Sequence, residues 1–145
     1  MTTNTPTESL EKESISLKEQ ITALTKDLLY PSESDEPITY FEMELSTQEP
    51  IGIANFKMFN GIPPEIASTE ITFEDFFKPL IEVQDWFGED EKKWAADALS
   101  LKNLLLEKLT GIQLFKIGTI EISIYLFGKS EEHHWEGITT KVIET

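Results

Sequence analysis

The sequence contains neither cysteine nor arginine, and it is poor in positive charge. Without cysteine it has no disulfide framework and no thiolate chemistry. Its 12 basic residues are all lysine and stand against 27 Asp and Glu, so the formal net charge is −15. Direct binding of nucleic acid is disfavoured, because phosphate contacts require a basic face. A strongly acidic domain suits a basic protein partner, although the simplest interpretation of acidity alone is solubility.

Long apolar runs and known catalytic motifs are missing as well. No apolar run approaches the roughly 20 residues of a membrane-spanning helix, and the N-terminus lacks the basic-then-apolar pattern of a signal peptide. We therefore expect a cytoplasmic protein. A phosphate-binding loop, a dinucleotide fingerprint and a Ser-His-Asp set are also absent from the sequence, so we expect no enzymatic activity.

What the sequence does contain is enough apolar material for one domain. Of its 145 residues, 39% are hydrophobic, and nine are phenylalanine. A chain of this length can bury a sizeable core. We expect residues 1–6 to form a disordered tail and residues 7–145 to form a single domain.

The N-terminal half predicts a helix, an acidic loop and a strand. A helix from about Thr7 carries an apolar stripe and ends at Pro31. Alternation from Thr39 to Leu45 predicts a half-buried antiparallel strand, with Phe41, Met43 and Leu45 on its apolar face. Residues 54–59 are compatible with a strand or a short helix, and periodicity does not decide between them.

Two further helices are predicted in the middle of the chain. Thr72 is a fitting N-cap for a short helix that Pro79 limits to a couple of turns. A long helix is predicted from about Asp90 to Leu109, with Gly111 as its stop. Its apolar residues recur at helical spacing: Trp94, Ala98, Leu101, Leu105 and Leu109.

The C-terminal part predicts strands in the middle of a sheet. Residues 114–127 suggest two strands, or one bent strand, around Gly118. Both faces are apolar, which is typical of a strand covered on both sides: Ile120, Ile122, Ile124 and Leu126 on one face, Tyr125 and Phe127 on the other. Residues 128–136 are predicted to form a polar loop, and residues 137–145 the last strand of a hairpin. The element order indicates an α+β, three-layer α-β-α sandwich.

Two loops concentrate acidic residues, and a third carries histidines. The loops at 31–37 and 84–91 are predicted at the surface; the alternatives are a solvated turn for the first and a core-anchor role for Trp86 in the second. The His133–His134 pair suggests a metal site with Glu131 or Glu132. Adjacent side chains usually point apart and no third histidine exists, so an exposed loop is the favoured interpretation.

Three separated parts of the chain resemble the nuclease A inhibitor family, whose members block a sugar-nonspecific, magnesium-dependent endonuclease. They are residues 28–35 (Leu-Leu-Tyr-Pro-Ser-Glu-Ser-Asp), residues 84–87 (Gln-Asp-Trp-Phe), and the blocks 118–122 and 137–145. The ending Gly-Ile-Thr-Thr-Lys-Val-Ile-Glu-Thr is the most specific part. Order and spacing agree from about residue 15, and the stretch from about Glu42 to Ile71 matches the family less well.

The resemblance implies a fold, a partner and a set of contact residues. The fold would be an α-β-α sandwich like that of plant pathogenesis-related class 1 proteins. Thr145 would reach into the nuclease and ligate its catalytic magnesium, and Glu33 would approach an active-site arginine. Gln84 and Trp86 would add polar and aromatic contacts. A monomer that forms a 1:1 heterodimer, without a cofactor of its own, is implied.

A different partner is the alternative. The same fold would then serve as an acidic binding module for another basic protein, without inhibiting a nuclease.

Overall fold

The computed structural model describes residues 16–45, 50–131 and 133–144. These residues form four helices and seven strands. In chain order the elements are α1 (Leu17–Thr25), β1 (Leu29–Tyr30), β2 (Glu36–Pro37), β3 (Thr39–Glu44), α2 (Ile53–Phe59), β4 (Ser68–Glu70), α3 (Phe73–Ile81), α4 (Glu89–Lys108), β5 (Thr110–Ile117), β6 (Glu121–Glu131) and β7 (His134–Ile143). Within those residues, no helix has both the length and the apolar character to cross a membrane.

Five of the strands form one antiparallel sheet in the order β3-β7-β6-β5-β4. The short strands β1 and β2 pair separately. β6 is the central strand, which confirms the prediction from its apolar faces, and β7 returns from it as a hairpin. Two separate strands flank Gly118, whose φ of 120° suits the turn between them.

One face of the sheet packs against α1, α3 and α4. Alternate residues of β6, namely Ile122, Ile124 and Leu126, point to this side and are buried. The helices contribute most of the rest of this first core, including Ile21, Phe76, Phe77, Ala98, Leu101 and Leu105.

The opposite face packs against α2 and forms a second, more aromatic core. Phe56 of α2 is fully buried, and its ring stacks on Phe127 with centroids 5.2 Å apart. Phe115, Met43 and Trp135 complete the contact. Residues 53–59 thus form a helix, and this helix places Phe56 against the sheet. The predicted apolar face also joins this core, as expected, through Phe41 and Met43 of β3 and Leu45 directly after it.

The helix starts follow ordinary capping chemistry. Ser16 Oγ accepts a hydrogen bond from Glu19 N at 3.0 Å, and Thr72 Oγ1 accepts one from Asp75 N at 3.0 Å. The Thr72 cap was predicted from the sequence, and α3 ends two residues after Pro79, also as predicted. The expected disordered tail at residues 1–6 and the expected helix start at Thr7 lie outside the described residues.

Four expectations about boundaries were wrong. The first helix does not continue to Pro31, because α1 ends at Thr25 and Leu29–Tyr30 form β1. Gly111 does not stop α4: it lies inside β5 with φ 60°, at the irregular register between Thr110 and Gln113. Residues 128–136 are largely strand rather than a polar loop, since β6 continues to Glu131 and β7 begins at His134. Ile120 does not share the core face of β6, because it lies in the turn before that strand and is 59% exposed.

Candidate protein-binding surface

On the side away from β6, β7 has two successive neighbours along its length. β3 pairs with β7 only as far as Thr139. Beyond that point the loop at residues 31–37 takes over, because Thr140 Oγ1 donates to the carbonyl of Pro37 at 2.8 Å and Ile143 N donates to Ser32 Oγ at 3.2 Å. The loop that carries Glu33 is therefore attached to the last strand.

The two serines of this loop hold its shape. Ser32 Oγ donates to the carbonyl of Ser34 at 2.7 Å, and Ser34 N donates back to Ser32 Oγ at 3.2 Å. Ser34 Oγ donates to Glu36 at 2.7 Å. Glu33 stands between the serines and is exposed, so its carboxylate is presented on a turn whose own hydrogen bonds are satisfied.

The chain end is fixed up to Glu144. Glu144 N donates to the carbonyl of Ile120 at 2.9 Å, and its side chain lies 3.5 Å from Lys116 Nζ. Glu33, Lys116 and Glu144 line a groove of about 410 Å³, which we call the terminal groove. Thr145, the predicted metal ligand, lies outside the described residues.

The loop with Gln84 and Trp86 is a compact turn between α3 and α4. Phe87 N donates to the carbonyl of Gln84 at 3.0 Å, and Gln84 Nε2 donates to Glu82 at 2.9 Å. Trp86 is 73% exposed and touches Phe87 edge-on, with ring centroids 4.7 Å apart. The core-anchor interpretation of Trp86 is therefore wrong.

Gln84 and Trp86 line a second groove of about 300 Å³, which we call the tryptophan groove. Pro31 and Pro79 line both grooves, so the two are contiguous. Three of the four sequence-predicted contact residues, Glu33, Gln84 and Trp86, thus share one surface with the end of β7.

This surface is strongly acidic. Six carboxylates and one lysine line the two grooves: Asp27, Glu33, Asp35, Glu82, Glu91 and Glu144, with Lys116. Tyr30, which also lines the terminal groove, donates to the carbonyl of Phe76 at 2.7 Å. Burial raises the pKa of Tyr30 to about 12, so its phenol stays neutral and adds no further negative charge.

Sequence reasoning missed Lys116. The residue lies on the same side of β5 as the core residue Leu114, two positions earlier. A lysine at an apolar position of a strand was the available signal. The bond between Ser32 and Ile143 joins residues 111 positions apart and left no trace in the sequence pattern.

The histidine pair lies at the opposite end of β7. His134 Nε2 is 3.1 Å from Glu42, and its Nδ1 is 3.4 Å from the buried Glu136. Tyr40 donates to Glu136 at 2.7 Å. Burial raises the pKa of Tyr40, and its contacts with Glu136 and Glu42 raise it further. Among the described residues, no group of three or more His, Asp or Glu is arranged to hold a metal ion.

Comparison with known proteins gives one family. The family model described as nuclease A inhibitor-like protein matches residues 15–145. The match includes every described helix and strand and both grooves. No curated protein matches the chain.

Proposed function

The chain belongs to the nuclease A inhibitor-like family, and from this premise we propose that it inhibits a sugar-nonspecific, magnesium-dependent endonuclease. The proposed complex is a 1:1 heterodimer in which the acidic surface enters the basic cleft of the nuclease. The observation that carries the proposal is the attachment of the Glu33 loop to the end of β7. A cytoplasmic location and the absence of catalysis remain parts of the proposal.

The centre of the proposed mechanism is Thr145. Mg²⁺ prefers oxygen ligands and normally keeps places for substrate phosphate or water. A terminal carboxylate beside a threonine hydroxyl offers the same kind of oxygen as the phosphate it would displace. Support comes from the bonds of Ile143 and Glu144, which hold the chain steady immediately before that residue.

Glu33 is proposed to pair with an arginine of the nuclease active site. An arginine that stabilises the negative charge of a phosphoryl transition state also binds a carboxylate, often through two parallel hydrogen bonds. The exposure of Glu33 and its place in the terminal groove support this role. Occupying the arginine would remove it from catalysis.

Gln84 and Trp86 are proposed to contact the nuclease beside its active site. An exposed amide and an indole ring serve a polar and basic protein surface well, since the ring face also attracts cations. The high exposure of Trp86 supports this role.

The finer fold assignment is also a proposal. We propose a three-layer α-β-α sandwich of the pathogenesis-related class 1 type. It is supported by the apolar cores on the two faces of the five-stranded sheet, one packed against α1, α3 and α4 and the other against α2.

Plasmid degradation tests the proposal. A sugar-nonspecific, magnesium-dependent nuclease should lose its activity when the purified protein is added in near-stoichiometric amounts. The Glu33→Gln and Trp86→Ala variants should inhibit less well than Lys108→Ala, which changes an exposed residue at the end of α4. No inhibition by wild-type protein at large excess over such nucleases contradicts the proposed function.

A further inference from the structure

Most of the tryptophan groove remains without a role once Gln84 and Trp86 are assigned. Its other walls come from three directions: Leu28 and Leu29 after α1, Pro79 and Leu80 in α3, and Trp94 and Ala95 in α4. The groove is therefore built by several elements of the fold and not by the Trp86 loop alone. At about 300 Å³ it lies at the small end of ligand-sized sites.

Besides Trp86, two large apolar side chains of the groove face solvent. In β1, alternation buries Tyr30 and turns Leu29 outward, where it is 51% exposed. Trp94 precedes the buried stripe of α4 and is 41% exposed, whereas Ala95 and Ala98 are buried. Clustered exposed apolar side chains with a polar rim are typical of a protein-binding site.

The rim of this groove is acidic. Asp27, Asp35, Glu82 and Glu91 line it, and no lysine does. A second copy of the chain, at net charge −15, would be repelled. Residues 1–15 of the same chain are also a poor occupant, since three glutamates (Glu8, Glu11 and Glu13) outnumber the one lysine (Lys12). The charge favours a basic partner.

We infer that the tryptophan groove is a second anchor for the nuclease, outside its active site, and takes one large apolar side chain that the nuclease presents between basic residues. The inference rests on the proposed function and extends it. The apolar side chain would lie against Leu29 and Trp94, and its basic neighbours would face Asp27 and Asp35. Continuity with the terminal groove through Pro31 and Pro79 lets one partner occupy both.

An anchor of this kind contributes binding energy without touching the magnesium. A buried apolar side chain surrounded by polar contacts is the usual form of an interface hot spot. Its removal is expected to weaken binding by roughly tenfold or more, the change expected for a residue that contributes substantially to an interface. An independent anchor predicts the same loss whether or not Thr145 is present, since contacts that share no partner add independently.

The test is a calorimetric titration of a nuclease that the wild-type protein inhibits. Leu29→Ser and Trp94→Gln should each weaken binding by about tenfold or more. Leu99→Ser is the matched control, because Leu99 is 47% exposed but lies outside the groove. Thermal melts of each variant establish that the fold is kept.

The same titration separates the two proposals. Wild-type protein that binds no such nuclease overturns the proposed function and the anchor with it. Wild-type protein that binds, with Leu29→Ser and Trp94→Gln indistinguishable from Leu99→Ser, overturns the anchor alone. A protein that lacks Thr145 should still bind the nuclease measurably, and Leu29→Ser or Trp94→Gln should weaken that remaining binding. If neither substitution has an effect in the protein that lacks Thr145, the groove is not an independent anchor.

A separate experiment tests the contribution of the acidic rim to binding. Asp27→Asn should lower the association rate constant measured by stopped flow, because it removes one steering charge beside the groove. Glu107→Gln, at an exposed acid of α4 away from the groove, should not. Concentration-dependent dimerisation of the wild-type protein alone, abolished by Leu29→Ser, would assign the groove to a second copy and contradict the inference.

Discussion

Lys116 brings a positive charge into an acidic groove at the point where the chain ends. Its side chain is 23% exposed, and Nζ lies 3.5 Å from Glu144. An exposed ion pair of this kind adds at most about 1 kcal/mol to stability. The contact holds the Glu144 carboxylate beside β5.

We therefore predict that Lys116→Met weakens nuclease inhibition about fivefold or more, an effect of about 1 kcal/mol, while the melting temperature changes little. Lys116→Arg should restore inhibition, since it keeps the charge. Inhibition constants from a nuclease assay give the comparison. If the Met variant inhibits as well as wild type, Lys116 does not position the chain end.

Glu33 is expected to act through its charge rather than its size. Glu33→Gln keeps the shape of the side chain but removes the partner of the proposed arginine, and a lost charge-assisted hydrogen bond costs roughly 1.5–3 kcal/mol. We predict a loss of affinity of about tenfold or more by calorimetry. Glu65→Gln, at an exposed acid outside both the terminal and tryptophan grooves, is the control; equal losses in the two variants would refute the arginine pairing.

Among the structural elements, the β6–β7 hairpin lines the terminal groove. Its two strands approach each other very closely at Gly137. A Cβ at this position would overlap the carbonyl oxygen of Leu126 and come within 2.7 Å of the Cα of Phe127, both backbone atoms of β6. Backbone cannot move aside as a flexible side chain can. Only glycine is compatible with this pairing.

Gly137→Ala is accordingly predicted to lower the free energy of unfolding by about 2–4 kcal/mol, measured by urea denaturation. Gly52→Ala is the matched control: a Cβ there meets nothing within 4 Å, and the change should cost no more than about 1 kcal/mol. Similar midpoints for both variants would mean that the hairpin is less tightly packed than described.

Elements with a strong local signal were predictable from the sequence, and those set by distant contacts were not. The Thr72 N-cap and the apolar residues on both faces of β6 follow from neighbouring residues alone. Residues 54–59 are equally compatible with a strand or a helix, because what decides is the packing of Phe56 on Phe127, far away in sequence. The predicted polar loop at 128–136 failed for the same reason: Trp135 and Glu136 are buried by residues of β3, α2 and β6.

In the candidate site, too, local features were predictable from the sequence and contacts between distant segments were not. Glu33, Gln84 and Trp86 were proposed from a resemblance; their own loops indicated a surface position, with a core-anchor role as the alternative for Trp86. Their common surface depends on the contact of the 31–37 loop with β7 and on the two prolines shared by the grooves. Such contacts between distant segments have no periodic signature in a sequence.

The whole molecule carries a strongly negative net charge, and acidic residues line both of its grooves. A net charge of −15 directed at a basic partner steers encounter, and salt screens that steering over a Debye length of about 10 Å at 0.1 M. We predict that the association rate constant falls about tenfold or more between 0.05 and 0.5 M NaCl, while the dissociation rate constant changes much less. Stopped-flow mixing with the nuclease gives both constants; an association rate that does not respond to salt contradicts electrostatic steering.

The central claim is that the chain end plugs the nuclease active site, and the inhibition constant of end-modified proteins tests it most directly. Wild-type protein would be compared with one that lacks Thr145 and one with a single alanine added after it, with Lys108→Ala as the control. Loss of a metal ligand predicts inhibition about a hundredfold or more weaker for both end-modified proteins. Inhibition constants equal to that of the control for both would contradict the claim.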